Sequence, residues 1–378
     1  MATHKLGSVY GVELEYMIVD RDTLDVRPIA EAVLGVSGEV EHLDITWCNE
    51  LVAHVIELKV TRPATSLPGL AEVFQRHVRA INALLEPHHA MLMPSAMHPW
   101  MDPFKEMVLW PHGYNDIYAA FDRIFDCRGH GWANLQSTHL NLPFDGDDEF
   151  ARLHAAIRMV LPLIPAIAAS SPFRDGVRSD QLDGRLHVYA SNAARIPSVT
   201  GKVIPEPVFS KQEYEYVILK PMYADIAPFD TDGILQEEWL NARGAIARFD
   251  RNAIEIRVTD IQECPAADMA VLMMIDRAVH HFMDRFEEIR DTPTDALAAL
   301  LAQTIRIGGN APYGKGTVRD FWKERLSEGR ALPNNEIQDA ISVILEHGTL
   351  AERLLPHNGK KSAYERLSHC LQAGTMFR

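Results

Sequence analysis

The chain has 378 residues, 47% of them hydrophobic and 24% charged, with a formal net charge of −15. Such a length and composition describe an ordinary globular protein with a large core, arranged as one big domain or two smaller ones. The negative balance excludes broad nucleic-acid binding, which needs cationic surface to displace counterions, but leaves ATP open, because a bound metal reverses the local charge.

Cys48, Cys127, Cys264 and Cys370 are widely spaced and form no CxxC. That pattern suits reduced thiols in a cytosol better than a disulfide framework or a zinc site. The opening MATHKLGSVY holds no apolar signal core. The longest apolar run, residues 159–169, is too short to span a bilayer and contains two prolines. A cytoplasmic protein with no membrane partner is expected.

In chain order, residues 9–19 and 50–60 read as strands, with a helix over 66–87 between them and the next strand. That helix has Ser66 as N-cap, Pro68 in its first turn, and Leu70, Phe74, Val78, Ile81 and Leu85 on one stripe. A strand over 133–143 and a helix over 148–169 follow. Residues 171–210 are polar and rich in turn residues, a length of loop that is commonly functional or disordered. Their interspersed apolar and aromatic residues favour function. Strands are predicted over 213–221 and 245–260, then a helix over 265–287 opening on Pro265. Beyond residue 290 the chain reads as helical over 295–305, 334–355 and 361–372, interrupted by the Gly-rich stretch 306–317. Connections of mixed length without a βαβ rhythm predict an α+β fold. The expected sheet is antiparallel or mixed, with helices on one face and the other free to hold a site.

Four constellations carry chemistry. In GVELEYMIVD (11–20), Glu13 and Glu15 share one strand face, either a solvated surface or a pair of hard oxygen ligands suited to Mg2+. In NELVAHVIEL, Glu50 and Glu57 are seven apart. They share a side only if the chain bulges or turns between them, or if Glu50 lies in the loop before the strand. In QSTHLNL, His139 alternates with Leu140 and Leu142; taken alone it reads as a satisfied strand histidine. In RFDRNAIEIRVTD, Glu255 and Arg257 share a face, as a salt-bridge ladder or as a metal ligand beside a phosphate clamp, with Arg248 and Arg251 as further guanidinium donors. Five carboxylates in one site need cations. Two or more divalent ions, arginines and a polyphosphate would balance them, which is the arrangement phosphoryl transfer requires. There is no GxxxxGK[ST], so no P-loop holds the phosphates. Cys48, near Glu50, has no paired histidine and reads as a structural thiol.

The ExE strand, the acids seven apart, the strand histidine and the late ExR strand resemble the glutamine synthetase-like superfamily. Within it, GVELE, HVIELKVT, SSPFRDG and IEIRVTD resemble glutamate–cysteine ligase family 2, which includes carboxylate–amine ligases, over roughly residues 9–290. The resemblance implies a sheet whose concave face forms a funnel for two or three Mg2+ ions, with Mn2+ as a substitute. Residues 1–290 would form the catalytic domain and 291–378 a helical extension packed on it. Glu15, Glu50 and Glu57 would hold one metal, and Glu13, His139 and Glu255 the other. Arg257 would touch an ATP phosphate, and Arg185, less securely Arg178 or Arg195, would meet the acceptor carboxylate. The implied reaction activates a carboxylate, the γ-carboxylate of glutamate, as an acyl phosphate. It is then joined to an amine such as cysteine. The partners are therefore small molecules, and a homodimer is compatible with them.

Two departures bear on the substrate: Ser170 stands where the family's loop commonly has Asn, and Asn141 where a His-x-His pattern is common. A guanidino-type phosphokinase, a dinuclear metal-dependent hydrolase and a degenerate binding protein are the competing readings.

Overall fold

The alternation in residues 11–20 separates the two sides of the molecule. In β1 (Gly11–Asp20), Val12, Leu14, Tyr16 and Ile18 are fully buried on one face, while Glu13 and Glu15 point to the other. In the computed structural model, which describes residues 4–327 and 335–378, β1 lies near the middle of an eight-stranded sheet. Its other strands are β2 (Glu39–Glu41), β3 (Ile45–Asn49), β4 (Val55–Val60), β5 (Ala90–Met93), β6 (Ser137–Pro143), β9 (Ala245–Arg248) and β10 (Ala253–Asp260). A separate two-residue hairpin supplies β7 (Phe173–Arg174) and β8 (Val177–Arg178). The order is β2-β3-β4-β1-β6-β10-β9, with β5 also paired to β1, and every pairing is antiparallel.

Helices Leu70–Leu85, Gly146–Val160 and Pro265–Met283 cover the apolar face and close one large core with it. The opposite face carries the acids. This is the α+β architecture, an antiparallel sheet with helices on one face, that the sequence leads one to expect. No described helix is long and apolar enough to cross a membrane.

Several local expectations are corrected. Residues 213–221 are not a strand but part of a helical run, Lys211–Tyr214, a π-helical turn Glu215–Leu219, and Lys220–Ile226. The alternation of EYEY mimics a strand, but Ser210 caps the helix by accepting from the Glu213 N–H at 3.2 Å. The run 245–260 is a hairpin, turning between β9 and β10. Strands β2, β3 and β5 are too short to stand out by periodicity. The first long helix begins at Leu70 with Gly69, not Ser66, at its cap. The long segment 171–210 contains β7, β8 and the short helices Gly184–Tyr189 and Pro197–Thr200. The helix expected over 334–355 is Asn335–His347 followed by Leu350–Leu354, residue 334 lying outside the described residues, and helix Val318–Ser327 went unforeseen.

The C-terminal segment shares the main core through Leu297, Leu301, Trp322 and Ile341. It also braces the loops that hold the site. The Ile305 carbonyl accepts from the N–H groups of Leu182 and Asp183, both at 3.0 Å, and the Ala351 N–H donates to the Ala169 carbonyl at 2.8 Å. Arg353 pairs with the fully buried Glu263 at 2.6 Å. The Gly-rich stretch turns through Gly308–Asn310 into the small hairpin Pro312–Tyr313 and Gly316–Thr317. We propose that residues 291–378 are an extension of the catalytic domain and not an independent unit. A chain ending at residue 290 is expected to lack a cooperative thermal transition in circular dichroism; a sharp transition near that of the full chain would refute this.

Candidate active site

Register places the acids side by side. Glu13 faces His139 across β1 and β6, and Glu15 faces Glu57 across β1 and β4. Glu50 lies in the turn before β4, which removes the parity problem of its seven-residue spacing. Ligand atoms of Glu13, His139 and Glu255 all lie within 4.8 Å of one another. His139 Nδ1 is 2.9 Å from Glu13 Oε2 and 3.7 Å from Glu255 Oε1. Ser137 steers the ring from the other side, its Oγ 2.9 Å from His139 Nε2, and donates to Glu15 Oε2 from both N–H (2.7 Å) and hydroxyl (2.8 Å). Asn141 donates to Glu13 Oε1 at 3.3 Å. Gly11 makes room for it, since a Cβ there would sit 2.8 Å from Asn141 Cβ.

The register of β10 shifts between Ile256 and Thr259, a bulge at the position that aims Arg257. Arg257 Nε meets Glu255 Oε1 at 2.9 Å, and Arg248 Nη1 approaches Glu255 Oε2 at 3.9 Å. Arg251 lies further out, paired with Asp250 at 3.6 Å. Behind Arg257, three sequence motifs meet. Arg185 Nε donates to Asp260 Oδ1 at 2.5 Å, and its Nη2 to the Arg257 carbonyl at 3.3 Å. Ser171 Oγ donates to Asp260 Oδ2 at 2.9 Å and accepts from the Arg185 N–H at 3.0 Å, and the Ser170 N–H donates to Asp260 Oδ2 at 2.8 Å. The Ser170 side chain itself donates to the Ile261 carbonyl at 2.8 Å and accepts from the Ala96 N–H at 3.1 Å. Arg178 and Arg195 are not brought to the site. Arg178 is exposed on β8, and Arg195 donates to the Ile124 carbonyl and lies over the Phe229 ring.

The charges are out of balance. Burial and the neighbouring Glu15 push the Glu50 carboxyl up to about 7. Burial and the charges of Glu13 and Glu50 push Glu57 well above the carboxylate range. Glu13 shows the converse: burial opposes its charge, but His139 and Arg257 overcome that and, with a hydrogen bond from Glu57, hold it down at about 2. Despite burial, the hydrogen bond and charge of Glu13 with those of Glu15 and Glu255 raise His139. Without added cations the cluster shares protons instead, the expected behaviour of crowded buried acids. Hard carboxylate oxygens with one imidazole are a donor set that fits Mg2+ or Mn2+. Cys48 lies on the same face beyond Glu57, buried, its thiol pushed up to about 12 chiefly by burial, which suits an inert structural residue.

Two cavities adjoin the cluster. One, of about 280 Å3, is bordered by Glu15, Glu50, His139, Arg185 and Arg257 and walled by aromatic residues on the helices Asn115–Phe125 and His130–Ala133. The other, of about 680 Å3, is bordered by Glu13, Lys59, Asn141 and Arg251. Sequence reasoning missed Ser137, Lys59, Tyr189, Asn192 and the aromatic wall. Alternation with His139 and Glu57 places Ser137 and Lys59 on the right face; the wall has no such signal, because it comes from helices remote in sequence.

A sequence model of the family described as Glutamate-cysteine ligase family 2 (GCS2) matches residues 9–356. An uncharacterized protein of Archaeoglobus fulgidus is 33% identical over 381 residues, covering 97% of this chain and 99% of its own. A protein of Salinispora tropica provisionally named glutamate–cysteine ligase 2 is 26% identical over 322 residues, covering 82% of this chain and 70% of its own. One of the same provisional name from Leifsonia xyli is 27% identical over 193 residues, half of this chain and 46% of its own. Among solved structures, the glutamate–cysteine ligase of Francisella tularensis in complex with AMP superposes with a TM-score of 0.65 at 12% identity, covering 99% of this chain and 90% of that one. A bifunctional glutathione synthetase of Pasteurella multocida gives 0.53 at 12% identity, with 97% of this chain and 52% of that one covered.

The raised acids set a pH dependence. Glu50 goes from 4.5 to about 7 on burial, so the proton it gains stabilises the folded, metal-free chain fully below about pH 4.5. That contribution is lost as the pH rises to about 7. Glu57→Gln, which removes from the same cluster an acid that must otherwise carry a charge or take up a proton, is therefore expected to raise the metal-free Tm at pH 8 by roughly 2 °C or more. The gain should fade at pH 5.5, and Mg2+ should stabilise the unsubstituted chain more at pH 8 than at pH 5.5. Equal Tm for both chains at pH 8 would show that the crowding is relieved some other way. Asp260→Ala strands the Arg185 guanidinium and is expected to cost about 3–5 kcal/mol in urea unfolding; a loss below about 1 kcal/mol would mean that Arg185 does not depend on that pair.

Proposed function

Because the chain belongs to glutamate–cysteine ligase family 2, we propose that it is an ATP-dependent carboxylate–amine ligase working through an acyl phosphate. The observation that carries this reading is the Glu13–His139–Glu255 cluster, held against Arg257 at the junction of two cavities. Glu13, His139 and Glu255 would hold one Mg2+ and Glu15, Glu50 and Glu57 another, with Mn2+ as a substitute, and the bound charge would offset the carboxylates and polarise the phosphates.

The chain's own residues do the rest. The larger cavity, with Lys59 and Arg251 at its border, suits the nucleotide. Arg257, fixed by Glu255, places a guanidinium beside the γ-phosphate and lowers the repulsion between two anionic reactants. Arg185, fixed by Asp260 and Ser171, orients the attacking carboxylate in the smaller cavity. One carboxylate oxygen bonds to the γ-phosphorus as the bond to the ADP oxygen breaks. The amine nitrogen then bonds to the acyl carbon, phosphate leaves, and the nitrogen loses a proton to give the amide.

Phosphate release from Mg·ATP, measured across a matrix of carboxylic acids and amines, is expected to require both partners of a pair. Release with a single substrate, or with an amine-like phosphoryl acceptor alone, would move the protein to the phosphokinase reading. Turnover without ATP would move it to a hydrolase. Glu15→Gln and Glu255→Gln are each expected to lower ATP turnover by about 100-fold or more, as loss of a metal-holding or charge-stabilising group does; unchanged turnover in both would remove the metal assignment.

A further inference from the structure

The lining of the smaller cavity is of two chemical kinds. The acids, His139 and the arginines make part of it polar, and Phe121, Trp132 and Trp239 with Leu51, Val52 and Leu240 make the rest apolar. The three rings come from three separate segments yet form one surface: Phe121 lies 5.4 Å from Trp132 and 6.0 Å from Trp239 between centroids. Trp132 spends its indole N–H on the Asn192 carbonyl at 3.0 Å, so its polar edge is already satisfied.

The cations are few. Arg185 and Arg257 are the arginines of this lining, which holds no lysine. Arg257 is paired with Glu255, and Arg185 with Asp260. Their remaining donors can serve the phosphate and one substrate carboxylate. With the metals that Glu15, Glu50 and His139 would help to hold turned to the phosphates, a second carboxylate would lie against the rings, where an unpaired buried charge is strongly disfavoured. A volume of about 280 Å3 lies at the small end of ligand pockets and suits a single-ring acid.

We propose that this cavity selects an acid with one carboxylate and an apolar, aryl-sized body, and discriminates against dicarboxylic amino acids such as glutamate. The proposal rests on reading the cavity as the acid site of the ligase. The carboxylate lies at Arg185 and the ring against Phe121, Trp132 and Trp239.

Two readouts on the full chain with Mg2+ test this separately from the ligase reading. The first is equilibrium binding of benzoate, 4-hydroxybenzoate, phenylacetate, aspartate and glutamate, followed by quenching of tryptophan fluorescence and by calorimetry. The second is hydroxamate formation from the same acids with Mg·ATP and hydroxylamine as the trapping amine. At least one aryl acid is expected to bind tenfold or more tightly than glutamate, and to form hydroxamate with at least tenfold higher kcat/KM. Glutamate binding as well as or better than every aryl acid, or no aryl acid binding at all, overturns the proposal even if hydroxamate forms. Aryl acids that bind without hydroxamate from any acid uphold the pocket assignment and sink the ligase reading. Trp239→Ala should weaken aryl-acid binding at least tenfold with the KM for ATP unchanged. Should that chain fail to fold, Phe121→Arg supplies the missing cation and should shift the preference toward glutamate at least tenfold; an unshifted preference counts against the proposal.

Discussion

The constraint on which the rest depends is a shortage of positive charge. Five carboxylates, Glu13, Glu15, Glu50, Glu57 and Glu255, converge on one face of an antiparallel sheet, most of them more than nine-tenths buried. Coulomb repulsion at such depth is poorly screened, so protons are retained on Glu50 and Glu57 while His139 and Arg257 hold Glu13 ionised. A fold that assembles this arrangement forgoes stability in the metal-free state. The large apolar core on the opposite face, sealed by three long helices, is what tolerates it.

The residues behind the acids keep Arg185 and Arg257 in place. Asp260 gathers the serine loop, the start of the short helix carrying Arg185, and the end of β10 carrying Arg257. The C-terminal segment holds the same parts from outside, through Ile305 on the approach to Arg185 and Ala351 beside Ser170. A tail remote in sequence thereby acts on the geometry of the centre. Preorganised guanidinium groups need no rearrangement when charge develops, which is where such a site derives most of its effect.

Much of this was legible beforehand, for a definite reason. A strand has period two, so Glu13 with Glu15, Glu255 with Arg257, and His139 on its own strand each report a face without knowledge of the fold. Their joint order also carried the family, and with it the pairing of Glu13, His139 and Glu255, which the structure brings within ligand distance. The failures have equally definite causes. Residues 213–221 alternate like a strand but obey a capped helix. The resemblance offers Arg178 and Arg195 beside Arg185 as the arginine that follows the Ser-Pro-Phe loop; Arg178 stands exposed on β8 and Arg195 donates to the Ile124 carbonyl.

The sequence by itself determined the sheet's acidic face, its opposing apolar face, the donor types available to metal and phosphate, and the family. These follow from side-chain chemistry and short-range periodicity, which need no knowledge of distant contacts. Only the tertiary structure decided that Asp260 anchors Arg185, and that Phe121, Trp132 and Trp239 line one small cavity together with Glu15 and Glu50. Those relations join residues from more than ten to more than two hundred positions apart, and packing of whole elements, not any local pattern, brings them together.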